Sequence, residues 1–132
     1  MKSYSPVVLR VGIALVVLWF GFAQFSDPSS WVGYLPSWTA SLPISTTTFI
    51  YLNAWFEVTF GILLLTGFYT RIVAILLALH LFEITFTVGY GAIGVRDFGL
   101  AVSAFSIFLH GSSALSFDRL FSRLHNMIRC TR

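Results

Sequence analysis

Six charged or histidine side chains stand inside stretches otherwise built from Leu, Ile, Val and Phe: Arg10, Glu57, His80, Glu83, Arg96 and Asp97. In an apolar segment such residues are costly, so each is a candidate for holding a ligand, a proton or a compensating partner. Carboxylates and imidazole exchange protons, and a guanidinium fixes a carboxylate. The spacing adds direction. Asn53 and Glu57 are four residues apart, which puts them on one face of a helix, and His80 and Glu83, three apart, share a side of another. If Glu57, Glu83 and Asp97 converge on Arg96 and a protonated His80, the three carboxylates cannot all stay ionised in a low dielectric. At least one is then expected to bind its proton tightly.

Two readings of that cluster stay open. It is either an ion-pair network that sets helix register, or a proton-accepting pocket beside a lipid-soluble substrate such as a quinone. Arg10 either joins it or snorkels to headgroups from the first turns of its helix. Haem is disfavoured because His80 and His110 fall at different depths, and bis-histidine ligation needs them level. The chain has no glycine-rich phosphate loop, nucleophile elbow or HExxH zinc motif. The single cysteine, Cys130, excludes an intrachain disulfide and a cysteine-built metal site, and reads as an ordinary cytoplasmic thiol with palmitoylation as the alternative. No metal site and no intrinsic cofactor are expected.

The elements that must position these residues are membrane spans. In 132 residues, 57% are hydrophobic and only 10% charged, where a soluble domain carries roughly a quarter charged residues. Five of the thirteen charges fall in the last 15 residues, which leaves too few to solvate a surface elsewhere. The fold class is therefore an all-α membrane protein, a four-transmembrane-helix bundle with a lipid bilayer as its first partner. The spans are expected at about 6–25, 48–66, 72–88 and 92–110, within a transmembrane domain of residues 1–115. A cleavable leader ending near Ala23 is the alternative for the first span, but Arg10 interrupts its apolar core. Ser45 to Thr48 suit a helix start, Gly67 a helix stop, and Gly12, Gly21 and Gly61 close helix packing.

Between the first two spans, Asp27-Pro28 opens a segment in which Trp31, Tyr34 and Trp38 recur at helical spacing. This predicts one short helix lying on the outer surface or partly re-entrant, its aromatic rings suited to the headgroup boundary. At the other end, residues 116–132 read as a basic amphipathic cytoplasmic helix. Its Arg119, Arg123 and Arg129 are candidates for binding lipid headgroups or a partner. Lys2, Arg71 and the tail arginines then share one side, which predicts an inner-membrane protein with both termini cytoplasmic. The net charge of +3 is accounted for by this topology, so no nucleic acid is expected as a partner.

The order and spacing of several short pieces resemble the DoxX family of small four-helix membrane proteins. They are Leu9-Arg10-Val11-Gly12, Phe20-Gly21-Phe22-Ala23-Gln24-Phe25, Asn53-Ala54-Trp55-Phe56-Glu57 with Gly61, Gly67-Phe68-Tyr69-Thr70-Arg71, and Arg96-Asp97-Phe98-Gly99-Leu100. Gln24 departs from the lysine often found there. The resemblance implies the four-helix architecture first. It also brings in quinone-linked sulfur oxidation, oxidative-stress complexes and membrane-protein assembly, which are associated with different relatives. The leading expectation is a membrane subunit of a redox complex that contributes a quinone-side pocket, at most co-catalytic, with a protein partner. An assembly or scaffold protein is the second reading and a small-molecule transporter the third. Homo-oligomerisation is compatible with all three.

Overall fold

The computed structural model describes residues 4–111 together with 116 and 118. Four helices carry the fold: α1 (Ser5–Ser26), α2 (Thr46–Thr66), α3 (Thr70–Val88) and α4 (Ala92–His110), with no strand among the described residues. All four are long and apolar enough to cross a bilayer. The expected four-helix membrane bundle is therefore present, each helix beginning and ending within two residues of its predicted span. Val8, Leu15, Trp19, Phe22, Trp55, Leu79, Phe86 and Leu109 are each more than half exposed, while Ala14, Ala54, Ala74, Ala78, Ala101 and Ala104 are fully buried. Large apolar side chains outside and small ones between helices is the pattern lipid imposes, because backbones gain by close approach rather than by hiding from water.

The helices pack mainly as two pairs, α1 with α2 and α3 with α4, and the seams α1–α4 and α2–α3 are sparser. Gly21 and Gly61 set the first pair. A Cβ at Gly21 would lie 2.7 Å from Val58 Cγ2, and one at Gly61 2.8 Å from Leu18 Cγ. Gly12 does not share this role, since a Cβ there would meet nothing within 4 Å. Residue type alone marks a glycine as small without telling which face of the helix it occupies.

The bundle has two unlike ends. The turn half ends at the tight α2–α3 turn and the loop half at the long α1–α2 connection. The main core, Ile13, Ala14, Val17, Leu64, Val73, Ala74, Leu77 and Ile107, lies wholly in the turn half. The turn uses Gly67 at φ 73° and Tyr69 at φ 48°, both left-handed. Asp118, 49 and 48 residues along the chain, accepts hydrogen bonds from the Tyr69 and Thr70 amides at 2.9 and 2.8 Å, capping the start of α3. Beneath the turn lies Arg10, 3% exposed, so close that a Cβ on Gly67 would stand 1.6 Å from its Nη1. This corrects the grouping of Arg10 with Glu57. Arg10 lies in the second turn of α1, about 21 Å of helix from Gln24, and belongs to the opposite end.

The α1–α2 connection holds two 3₁₀ turns, Pro28–Tyr34 and Ser37–Ser41, instead of the single short helix expected. Pro36, extended at ψ 143°, separates them. At the start of α2, Ser45 Oγ accepts from the Thr48 amide at 3.1 Å, the hydroxyl cap anticipated there. The predicted amphipathic helix of residues 116–132, with Arg119, Arg123, Arg129 and Cys130, lies outside the described residues except for Ser116 and Asp118.

Candidate functional site

In the loop half the two helix pairs part and leave a cavity of about 740 Å³, within the usual range of small-molecule sites of roughly 300–1,000 Å³. All four helices contribute to its walls, and so does the connection: Trp31, Tyr34 and Trp38 line it instead of facing only the headgroup zone. Phe20 locks the first 3₁₀ turn onto α1, with its ring edge-on to Trp31 at 5.7 Å, and Trp31 lies 6.1 Å from Tyr34. Trp38 meets Phe49 of α2 edge-on at 5.8 Å. Ordered aromatic contacts of this kind make the connection part of the site.

The polar floor is a closed set of amide and carboxylate bonds. Gln24, in the last turn of α1 and 3% exposed, donates from Nε2 to Glu57 Oε2 at 2.7 Å. Asn53 donates from Nδ2 to Gln24 Oε1 at 2.9 Å and to Glu57 Oε1 at 3.3 Å. A buried carboxylate is costly unless donors surround it, and these two amides supply them without adding charge. His80 of α3 brings Nε2 to 3.5 Å from Glu57 Oε1, with its ring tilted against Phe56 at 4.7 Å.

The second polar wall is on α4. Arg96 Nε donates to Asp97 Oδ1 at 2.8 Å, and Asp97 is buried while the Arg96 side chain is 41% exposed. The guanidinium also sits over the Phe20 ring, 4.3 Å from its centroid, a cation–π contact that ties α4 to α1. Glu83 is exposed at the rim, where its Oε1 accepts from Thr87 Oγ1 at 3.2 Å. Glu57, His80, Glu83, Arg96, Asp97 and Asn53 therefore line one cavity, but not as a single ion cluster. Each carboxylate has its own partners: amides and imidazole for Glu57, guanidinium for Asp97, a hydroxyl for Glu83.

Gln24 is the residue that counting charges misses. A neutral amide in a run of aromatic residues shows no charge penalty. Its signal was positional, one turn of helix from Phe20 and at the same depth as Asn53. Such an enclosure of aromatic walls and a small polar floor can hold a molecule with an apolar body and a polar head. Among the described residues no group of three His, Cys, Asp or Glu could hold a metal ion.

Comparison with curated proteins and with solved structures gave no match. The DoxX family model matches residues 5–90, covering α1 to α3 and the connection, and with them Gln24, Asn53, Glu57 and His80. The match stops short of Arg96-Asp97-Phe98-Gly99-Leu100. On more than half of its length, this chain is a member of the DoxX family.

Proposed function

We propose that this DoxX-family chain is the membrane subunit of a redox complex and that its loop-half cavity binds a quinone-class molecule. The observation that carries the reading is the placement of Glu57, with Gln24, Asn53 and His80 around it, in the wall of a largely apolar, aromatic-lined cavity inside a lipid-facing bundle. A quinone head offers carbonyl oxygens that need donors. Its ring suits contact with the aromatic wall at Trp31, Tyr34 and Trp38, and its isoprenoid tail belongs in lipid. Arg96 over Phe20 and the imidazole of His80 supply donors on two walls. Electrons would pass to or from a partner protein, and the chain's own part is to bind and orient the carrier.

The proposed orientation places the loop half at the outer face of the inner membrane and the turn half, with Arg71 and both termini, at the cytoplasm. The basic residues support it.

The test is binding of decylubiquinone to the full chain in lipid nanodiscs, read by quenching of tryptophan fluorescence, for wild type and for Glu57→Gln, Arg96→Gln and Asp97→Asn. Variants that insert and melt like wild type but bind at least about tenfold more weakly support the pocket. Normal binding by all three refutes it. The second reading, a scaffold whose polar contacts only fix register, has one observation in its favour: Gln24, Asn53 and Glu57 also tie α1 to α2. It requires that the same variants lose folding and binding together. Purification in mild detergent, with identification of what travels with the chain, tests the redox-complex part directly.

A further inference from the structure

Sorting the cavity wall by charge leaves one group without a counterpart. On α4, Arg96 gives its Nε to Asp97 Oδ1 at 2.8 Å and lies over Phe20, so guanidinium and carboxylate cancel. On α2, Glu57 is held by the Gln24 and Asn53 amides, with His80 Nε2 3.5 Å away. Glu83 on α3 has neither amide nor cation. Its bond comes from the Thr87 hydroxyl at 3.2 Å, and among the described residues no basic side chain pairs with it. Three carboxylates thus line the cavity against one guanidinium and one imidazole, and the excess is negative even with His80 protonated.

Glu83 also stands where a ligand reaches it. It shares with His80 and Thr87 the side of α3 that turns to α2, along one of the two sparse seams, and it is exposed while lining the cavity. It lies five residues before the end of α3 at Val88, about 7.5 Å of helix inside an apolar span. A carboxylate at that depth calls for a compensating charge. The rest of the wall suits one. Trp31, Tyr34 and Trp38 line the same cavity, with Tyr34 and Trp38 about half exposed, and aromatic faces attract cations that have shed part of their water. The molecule already makes this contact once, with the Arg96 guanidinium 4.3 Å from the Phe20 centroid.

We propose that the loop-half cavity is a binding site for lipophilic cations, hydrophobic molecules with a weakly hydrated positive centre such as a quaternary ammonium or phosphonium. Glu83 is the counter-ion, and the rings of Trp31, Tyr34 and Trp38 surround the charge. The inference goes beyond the quinone reading and does not rest on it, since a quinone needs hydrogen-bond donors and a cation needs an acceptor and ring faces. A cavity of about 740 Å³ holds one drug-sized molecule, so the two ligands exclude each other. An anion of the same size meets no unpaired cation among the described residues of the wall, and Glu83 repels it.

The experiment is calorimetry of the full chain in phosphatidylcholine nanodiscs with tetraphenylphosphonium and with tetraphenylborate, ions of similar size and shape and opposite charge. The heat of partition into empty nanodiscs is subtracted. Wild type should bind one phosphonium per chain and the borate at least about tenfold more weakly. Among variants that melt like wild type, Glu83→Gln, which still accepts from Thr87, should lose at least about tenfold in phosphonium affinity. Trp31→Leu and Trp38→Leu should each lose about threefold. Asp27→Asn, at a fully exposed carboxylate of the same connection, should bind as wild type does. Equal binding of the two ions by wild type overturns the inference whether or not any variant folds. So does phosphonium binding that Glu83→Gln leaves intact, or that Asp27→Asn abolishes. Decylubiquinone bound without phosphonium overturns this inference alone, and phosphonium bound without decylubiquinone overturns the quinone reading alone.

Discussion

Leu77 and Ile84 stand seven residues apart on one face of α3 and look into two different interiors. Leu77 is fully buried in the core of the turn half, against Ile13, Ala14, Val17 and Leu64. Ile84 is half-buried and lines the cavity of the loop half. One helix, one residue class and one membrane produce a packed interior at one end and a hollow one with a small polar floor at the other. The helix termini explain the contrast. At the turn half, α2 and α3 are joined by Gly67-Phe68-Tyr69, with Arg10 and Asp118 filling the space around the turn. At the loop half no segment links the two pairs, since the connection from Asp27 to Ser45 joins α1 to α2 and Gly89 to Gly91 joins α3 to α4, and the aromatic residues of the longer connection form part of the wall.

The sharpest way to break the comparison is topological, because its outcome is all or none. On a Cys130→Ser background, a cysteine at Ser30 should react with a membrane-impermeant maleimide added from outside, and one at Ser122 should not until the membrane is opened. The reverse pattern would leave both halves as described and exchange the compartments they face.

Next in size is stability. Leu77→Ala removes side-chain volume from a filled core, and because lipid has already replaced water, the loss is mainly the cavity term, about 2 kcal/mol. Ile84→Ala only enlarges an existing cavity and should cost less than about 1 kcal/mol. Thermal unfolding in nanodiscs compares the two. Equal losses would mean that the loop half is packed as tightly as the turn half, and the contrast would fail.

The bundle itself was legible in the sequence, since four apolar runs with few charges admit little else. So were the Ser45 cap and the left-handed Gly67, each set by local chemistry. Counting turns put Glu57, His80 and Asp97 at a common level, and they line one cavity, whereas Arg10, left between that cluster and the headgroups, lies at the other end under Gly67. Other features need contacts that no local pattern encodes. Asp118 caps α3 from 48 residues away. Gly12 and Gly21 have identical chemistry and different neighbours. The break at Pro36 turns one expected helix into two 3₁₀ turns that cover the cavity. Gln24 was visible chiefly as a departure from lysine, and its bonds explain how Glu57 is satisfied without a cation.

That substitution offers a finer test of the loop half. Gln24→Lys sets an ammonium beside Glu57 Oε2 and can replace the amide as its donor, so folding should persist. Gln24→Leu removes both amide bonds and leaves Glu57 and Asn53 under-satisfied, costing about 1–3 kcal/mol in the same unfolding assay. A Leu variant as stable as wild type would show that the Gln24 bonds hold nothing in place.

The smallest effect belongs to the edge of the loop half, outside the spans. Asp27 is fully exposed, and hydrogen bonds from the Ser29 and Ser30 hydroxyls hold its carboxyl below the ordinary carboxylate range. A lowered folded value means that its contribution is complete above the unfolded value and is lost only as the pH falls through the folded one. Between pH 5 and 8 it stays ionised, so Asp27→Asn should leave the shape of any pH profile in that window unchanged. A change there on Asp27→Asn would mean that the Ser29 and Ser30 hydroxyls do not hold its carboxyl low, and thermal unfolding of wild type and Asp27→Asn across that window is the measurement that decides it.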